Sequence, residues 1–184
     1  MPPRTPDRSG DPIMPTFSTV SQDDFLAAIA TLTDSIAADD WRPDHLVGIG
    51  RGGLVPATFL SHATGIPLLS VDLSSGVAAF GDALLDELAT MSVAGTRLLF
   101  VDDINDSGAT IASLRDRLAA AGGVADNVRF AVLIDNIGSR ATVDYRHCRI
   151  DRATNKDWFV FPWEAVAPQT SLAADADAVP GRIA

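Results

Sequence analysis

The chain has 184 residues, 47% of them hydrophobic, which suits one globular domain with a substantial core. Its formal net charge of −10 argues against a general nucleic-acid or anionic-membrane binder, because such partners require a basic surface. No apolar run approaches the roughly 20 residues of a membrane-spanning helix, and a single cysteine excludes an internal disulfide. We therefore expect a cytoplasmic protein that has neither membranes nor nucleic acids as partners.

The first helix is predicted to begin at Ser21, after a proline-rich segment, residues 1–16, that we expect to be disordered. Ser21 and Asp24 form a start that resembles a capping box. Apolar residues then recur at helical spacing, namely Phe25, Ile29, Leu32 and Ile36.

From residue 45 onward, apolar runs alternate with helical patterns. We predict strands over residues 45–49, 67–72, 97–102 and 128–134, and helices over residues 54–64 and 108–121. This alternation predicts an α/β fold in which helices flank a parallel twisted sheet. Residues 73–95 are less regular and hold either a short helix at 82–90 or a mobile loop. The end of the chain is expected to hold short strands near residues 148–150 and 158–161, in an excursion from the main sheet, and a loose tail over residues 165–184.

A glycine-rich loop follows the first strand of the predicted sheet. Residues 46–56 read LVGIGRGGLVP, in which Gly48, Gly50 and Gly53 spell G-x-G-x-x-G, and Asp72 follows about 20 residues later. This spacing is typical of a dinucleotide-binding site and raises the hypothesis of a dinucleotide-dependent oxidoreductase. A second loop favours a different ligand.

That second loop lies in residues 98–110, LLFVDDINDSGAT, where an apolar strand ends in Asp102 and Asp103. Ligands of parallel sheets bind at the carboxyl ends of the strands, so both acids are expected at the rim of a cleft. Residues 106–110 then form a set of amides at a helix N-terminus, which suits an anion. Acids beside an anion site are consistent with a ligand that carries both a sugar diol and a phosphate.

The segment LLFVDDINDSGAT closely resembles the phosphoribosyl pyrophosphate (PRPP) motif of type I phosphoribosyltransferases. The resemblance implies a type I phosphoribosyltransferase fold over residues 17–164, with a small hood subdomain. The region around residues 140–164 is expected to contribute the hood, and the N-terminal helix is a further candidate for it. The implied reaction transfers the phosphoribosyl group of PRPP to a nucleobase and releases pyrophosphate.

The resemblance also assigns roles to residues. Arg51, Gly52 and Gly53 would bind the pyrophosphate, and Asp102 and Asp103 would hold the ribose diol. The 5′-phosphate would lie on Asp106, Ser107, Gly108, Ala109 and Thr110, with Asp106 also accepting or relaying a proton from the base. Mg²⁺ is the expected cofactor, with Asp103 as a candidate ligand. Glu164 is expected either to contribute to a second metal through water or to be simply solvated. Residues 73–95, or part of them, would form a lid over the site.

A third segment, residues 156–164 (KDWFVFPWE), is similar to a late segment of purine-salvage members of the family. By this resemblance Trp158 would stack on the base, with Phe159 and Lys156 as further base contacts. Trp158 and Phe159 as ordinary core aromatics are the alternative. Relatives are usually dimers or tetramers, so a homo-oligomer is expected.

One departure concerns the fourth predicted strand of the sheet, where purine-specific relatives place a lysine and this chain has Asp135. Lys156 or Asn136 are candidates to replace that lysine, or the base presents a donor at this point. Guanine, xanthine and hypoxanthine are the expected bases. A regulatory protein that binds PRPP or a nucleotide with the same fold is the second hypothesis, and the oxidoreductase is the least favoured.

Overall fold

The computed structural model describes residues 16–73 and 77–177. Most strands and helices lie close to the predicted ranges. The strands are β1 (Phe17–Thr19), β2 (His45–Ile49), β3 (Leu68–Val71), β4 (Leu98–Asn105), β5 (Val128–Asn136), β6 (Tyr145–Ile150) and β7 (Trp158–Val160). The helices are α1 (Gln22–Ala38), α2 (Gly50–Thr64), α3 (Ala78–Val93), α4 (Ala109–Ala120) and α5 (Gln169–Asp177).

Five strands form a parallel sheet in the order β3-β2-β4-β5-β6, while β1 and β7 pair separately as a parallel two-stranded sheet. The predicted α/β fold with a parallel sheet and flanking helices is confirmed. The described residues divide into two compact units, residues 21–155 with the five-stranded sheet and residues 16–20 with 156–177. Among the helices that the structure describes, none has the length and apolarity needed to cross a membrane.

The core of the larger unit is built on the central strands. The first four residues of β4, Leu98 to Val101, are fully buried, as expected for a strand covered by helices on both faces. Phe100 stacks on Phe130 of β5, with ring centroids 5.3 Å apart. Helix α1 begins as predicted, because the Ser21 hydroxyl accepts a hydrogen bond from the Asp24 amide at 3.1 Å.

Helix α3 is longer than the predicted helix at 82–90, and its second half belongs to the core. Leu85, Leu88, Ala89 and Ser92 are each at most 4% exposed. Moving this half of the helix would expose a buried apolar face. The lid expected from residues 73–95, or part of them, therefore stays a prediction for the remainder of the segment. Residues 74–76, within the same predicted segment, lie outside the described residues.

Two further expectations are corrected. The strand predicted near residues 148–150 is β6, and it extends the main sheet beside β5 instead of leaving it. The strand near residues 158–161 does lie outside the main sheet, paired with β1. The tail predicted over residues 165–184 contains helix α5, while residues 178–184 lie outside the described part of the chain, as do residues 1–15. The limits of the hood remain a prediction.

Candidate active site

The two motif loops lie side by side because the strands that precede them are neighbours. β2 pairs in parallel with β4, with Gly48 opposite Val101. The carboxyl ends of both strands therefore meet at one edge of the sheet. Helix α2 starts at once after β2, at Gly50, four residues earlier than predicted. Gly50 has φ of 54°, a left-handed conformation that favours glycine and turns the chain sharply from strand to helix.

Gly52 and Gly53 bring the first turn of α2 into direct contact with the end of β4. A Cβ atom on Gly53 would lie 2.1 Å from the Val101 carbonyl oxygen, and one on Gly52 would lie 2.4 Å from Asp103 Oδ2. The sequence suggested that these glycines let the main chain approach a ligand. The structure gives Gly53 a further role, because a side chain there would meet the backbone of β4, whereas one at Gly52 would meet the movable Asp103 carboxylate. Arg51, in the same turn, is exposed.

The paired acids of the second loop are partly buried, and each carboxylate accepts a hydrogen bond from the backbone amide of the next residue. Asp102 Oδ1 accepts a hydrogen bond from the Asp103 amide at 3.0 Å, and Asp103 Oδ1 accepts one from the Ile104 amide at 2.7 Å. Burial, followed by the charge of Asp103, raises the pKa of Asp102 well above its usual range. Hydroxyl donors or a cation at this pair would relieve the repulsion between the two carboxylates.

Residues 106–110, called the anion loop below after their expected ligand, lead from β4 into α4. Gly108 has φ of 79° and precedes the first helical residue, Ala109. Within the described residues, the Ala109 amide donates only to the Ser107 hydroxyl, at 3.3 Å, and no protein acceptor is recorded for the amides of Ser107, Gly108 and Thr110. Ser107, Ala109 and Thr110 are exposed. The loop thus presents amide donors at a helix N-terminus, as an anion site requires.

The end of β5 and the turn after it, residues 136–141, hold this loop through hydrogen bonds and close packing. The Asn136 side-chain amide donates to the Asp106 carbonyl at 3.0 Å, and the Arg140 amide donates to the Ser107 carbonyl at 3.3 Å. A Cβ atom on Gly108 would lie 2.5 Å from Ser139 Oγ, so glycine is needed here for packing as well as for its φ. No sequence pattern indicated these contacts.

Arg152 is a site residue that the sequence reasoning missed. Its Nε donates to Asp106 Oδ1 at 2.9 Å and its Nη2 donates to Asp106 Oδ2 at 3.0 Å. The residue that the resemblance assigns to proton transfer is therefore held in a two-point ion pair. No sequence motif marks Arg152, since it lies 46 residues from Asp106 in the chain.

Asp135, the position where a lysine was expected, belongs to an internal network. It is 7% exposed, accepts a hydrogen bond from the Asn105 side-chain amide at 2.9 Å, and has Arg146 and Arg149 within 3.9 Å and 3.7 Å of Oδ2. The Asn136 side chain is committed to protein groups through both its nitrogen and its oxygen. Asp135 and Asn136 thus have structural contacts, and the replacement of the expected lysine by Lys156 or Asn136 stays a prediction.

The residues predicted to contact the base lie in the smaller unit. Trp158 and Phe159 are half-buried on β7, and Lys156 just before them is exposed. Glu164 uses Oε2 to accept a hydrogen bond from the Phe161 amide at 3.0 Å. In residues 16–73 and 77–177 no group of three metal-ligating side chains is present.

A comparison with protein families identifies the family of the chain. A family model described as "Phosphoribosyl transferase domain" matches residues 20–169, which include both motif loops and the segment around Trp158. The chain belongs to the phosphoribosyltransferase family. This confirms the predicted family, and the family model and the relatives' names support the predicted transferase class, of the glycosyltransferase type.

Individual phosphoribosyltransferases match over part of the chain. An orotate phosphoribosyltransferase of Bartonella quintana is 34% identical over 101 residues, which are 54% of this chain and 47% of that protein. A xanthine-guanine phosphoribosyltransferase of Nitratidesulfovibrio vulgaris is 28% identical over 121 residues, 65% of this chain and 68% of that protein. The chain thus spans about half of one curated relative and two thirds of the other.

A solved phosphoribosyltransferase has the same fold. The structure of a purine phosphoribosyltransferase from Pyrococcus horikoshii superposes with a TM-score of 0.60 at 24% identity, covering 82% of this chain and 96% of that one. At 24% identity this likeness concerns the fold alone.

Proposed function

We propose that this protein transfers the 5-phosphoribosyl group of PRPP to a nucleobase, with a 6-oxopurine (guanine, xanthine or hypoxanthine) as the base, and releases pyrophosphate. The observation that carries the proposal is the contact between Gly52 and Asp103. It joins the glycine loop for the pyrophosphate to the acids for the ribose at one sheet edge, and residues 106–110 follow directly with their amide donors.

In the reaction, the bond from C1′ to the pyrophosphate oxygen breaks and a bond from C1′ to a base nitrogen forms. Asp102 and Asp103 orient the ribose through its hydroxyls, and the amides of residues 107–110 hold the 5′-phosphate. Arg51 offsets charge on the departing pyrophosphate. Asp106 accepts or relays the proton that the base nitrogen loses, because each of its oxygens keeps a second lone pair beside the Arg152 hydrogen bond.

Mg²⁺ fits the acids at the end of β4. Magnesium commonly binds through one or two carboxylates together with substrate phosphates and water, so a cage of protein ligands is not needed. Asp103 would hold this ion, and Glu164 would contribute to a second ion through water. The ion would supply charge neutralisation for the pyrophosphate.

The assignment of a 6-oxopurine is supported by the segment from Lys156 to Glu164. Trp158 supplies an aromatic face for stacking, with Phe159 beside it in the sequence, and Lys156 is the candidate donor to an oxo group of the base. The similarity to an orotate enzyme keeps a pyrimidine among the bases to be tested. We further propose that the protein is cytoplasmic and works as a homo-oligomer, a dimer or a tetramer.

The test is pyrophosphate release from PRPP and Mg²⁺ with guanine, xanthine, hypoxanthine, adenine, uracil and orotate, each supplied separately. Turnover with a 6-oxopurine supports the proposal, and turnover with orotate alone would mean that orotate is the base instead of a 6-oxopurine. Tight PRPP binding without turnover on any base would favour a regulatory protein. Binding of NAD in preference to PRPP, measured by thermal shift, would revive the oxidoreductase hypothesis.

A further inference from the structure

Both oxygens of the Asp106 carboxylate are held by one arginine. They accept hydrogen bonds from Arg152, at 2.9 and 3.0 Å, and the two side chains are 22% and 13% exposed. A fork of this kind fixes the plane and the direction of a carboxylate, which a single contact does not. Since the pair is largely shielded from water, it is stronger than an ion pair at the surface.

Asn136 joins the main chains of the same two residues. Its side-chain nitrogen donates to the Asp106 carbonyl at 3.0 Å, and its side-chain oxygen accepts from the Arg152 amide at 3.1 Å. Arg152 lies just after β6, Asn136 ends β5, and Asp106 follows β4. Three neighbouring strand ends are therefore tied together at the first residue of the anion loop.

We propose that Arg152 is a positioning residue for the 5′-phosphate, an inference that rests on the proposed function. Asp106 is the fixed start of the loop whose next amides, Ser107 to Thr110, face the anion. If Asp106 is not held, the loop becomes ordered only when the ligand binds, and the free-energy cost of ordering it lowers the affinity. The positive charge of Arg152 has a second effect. Asp102, Asp103 and Asp106 place three carboxylates near the site of an anionic group, and Arg152 neutralises the one that adjoins the phosphate loop.

The experiment measures the dissociation constants of PRPP, ribose 5-phosphate and magnesium pyrophosphate by calorimetry for the full chain and its variants. Arg152→Ala is expected to weaken PRPP and ribose 5-phosphate by about 10- to 100-fold, the range of a lost charge-assisted contact. Magnesium pyrophosphate, assigned to residues 50–53, should change by less than about twofold, roughly 0.4 kcal/mol. A purely structural role would weaken the three ligands together or none of them.

Matched variants separate charge from geometry. Arg149→Ala removes a more exposed arginine from β6, with 57% of its side chain exposed, and should leave ribose 5-phosphate binding within about twofold. Arg152→Lys keeps the charge without the fork and should recover only part of the affinity. In a double-mutant cycle, Asp106→Asn and Arg152→Ala should be non-additive for ribose 5-phosphate, because they remove the same interaction.

Equal binding of ribose 5-phosphate by Arg152→Ala and the unmodified protein would overturn the inference, even if the variant melts at a lower temperature. Should Arg152→Ala fail to fold, Arg152→Gln decides by the same comparison. If the unmodified protein binds neither PRPP nor ribose 5-phosphate, the proposed function itself fails. The two failures are thus distinguishable.

Discussion

The Asp103 carboxylate lies against the first turn of α2, so close to Gly52 that a Cβ atom at residue 52 would be 2.4 Å from Asp103 Oδ2. A loop after β2 and a pair of acids after β4 are thereby fixed in one place. A side chain at residue 52, in the loop proposed to bind pyrophosphate, would therefore displace the Asp103 carboxylate. The contact also makes the position of Asp103 depend on a residue 51 positions earlier in the chain.

Gly52→Ala should weaken PRPP binding by at least about tenfold, because the new methyl group displaces a carboxylate whose hydrogen bonds to a ligand are worth about 1.5–3 kcal/mol. Calorimetry with PRPP and Mg²⁺ measures the effect. Ala63→Gly, at an exposed position of the same helix, is the control. It should lower stability by about 1 kcal/mol without changing PRPP affinity. PRPP affinity that is unchanged in Gly52→Ala would refute this role of the glycine.

Gly53→Ala should destabilise the whole fold. The added Cβ would lie 2.1 Å from the Val101 carbonyl oxygen, a backbone atom of a central strand that has no flexible end to move aside. Overpacking of this kind costs about 1–3 kcal/mol or more. Urea unfolding of the variant and the unmodified protein measures the difference. A loss below about 0.5 kcal/mol would mean that helix and strand separate easily.

Trp158→Ala should raise the KM for the base with little effect on that for PRPP. A stacked aromatic contributes about 1–3 kcal/mol, which corresponds to roughly a 5- to 150-fold change. Trp158→Phe should recover most of the affinity because it keeps an aromatic face. Trp163→Ala is the control. The ring of Trp163 stacks on that of Phe161 within the same unit, with centroids 4.8 Å apart, so its loss should lower stability instead. Equal base KM values for Trp158→Ala and the unmodified protein would assign Trp158 to the core alone.

The stability of the fold is expected to depend on pH through Asp39, which lies outside both motif loops. The hydrogen bond from the Trp41 amide, followed by the Arg129 side chain, lowers the pKa of Asp39 below its ordinary value. A lowered pKa in the folded state contributes stability above the unfolded pKa of about 3.9, and this contribution is lost as pH falls through the folded value. Asp39→Asn should therefore unfold more easily than the unmodified protein at pH 7, and the gap should narrow below about pH 4.

Unfolding in urea at pH 3 and pH 7 measures the difference in stability between Asp39→Asn and the unmodified protein. Asp40→Asn, which changes the exposed neighbour, should show a smaller difference at pH 7. A gap for Asp39→Asn that widens at low pH would contradict the assigned direction of the shift.

Much of the candidate site was predictable because its information is local. The segment from Leu98 to Thr110 carries the strand, the acids and the anion loop in one continuous motif, and the structure has β4 and α4 in that order. Parallel pairing then follows from the alternation of strands and helices, which places the loop after β2 at the same sheet edge. The roles of the residues in this site remain predictions.

The supporting contacts were not predictable for the opposite reason. The partner of Asp106 lies 46 residues away, and nothing in the pattern around Arg152 distinguishes it from a surface arginine. Asp135 looked like a lost base contact in the sequence, whereas its environment is set by Asn105 and two arginines of β6. Such networks depend on which strands become neighbours, so the sequence order alone does not reveal them.

The segment from Leu98 to Thr110 is proposed to recognise a sugar diol and a 5′-phosphate together, and a competition experiment tests this without any assumption about the base. Ribose 5-phosphate, 2-deoxyribose 5-phosphate and ribose would each be titrated against bound PRPP in calorimetry. We predict that ribose 5-phosphate competes best, and that loss of either the 2-hydroxyl or the phosphate weakens competition by at least about tenfold, as expected for charge-assisted hydrogen bonds. Equal competition by all three sugars, or none by ribose 5-phosphate, would contradict the account.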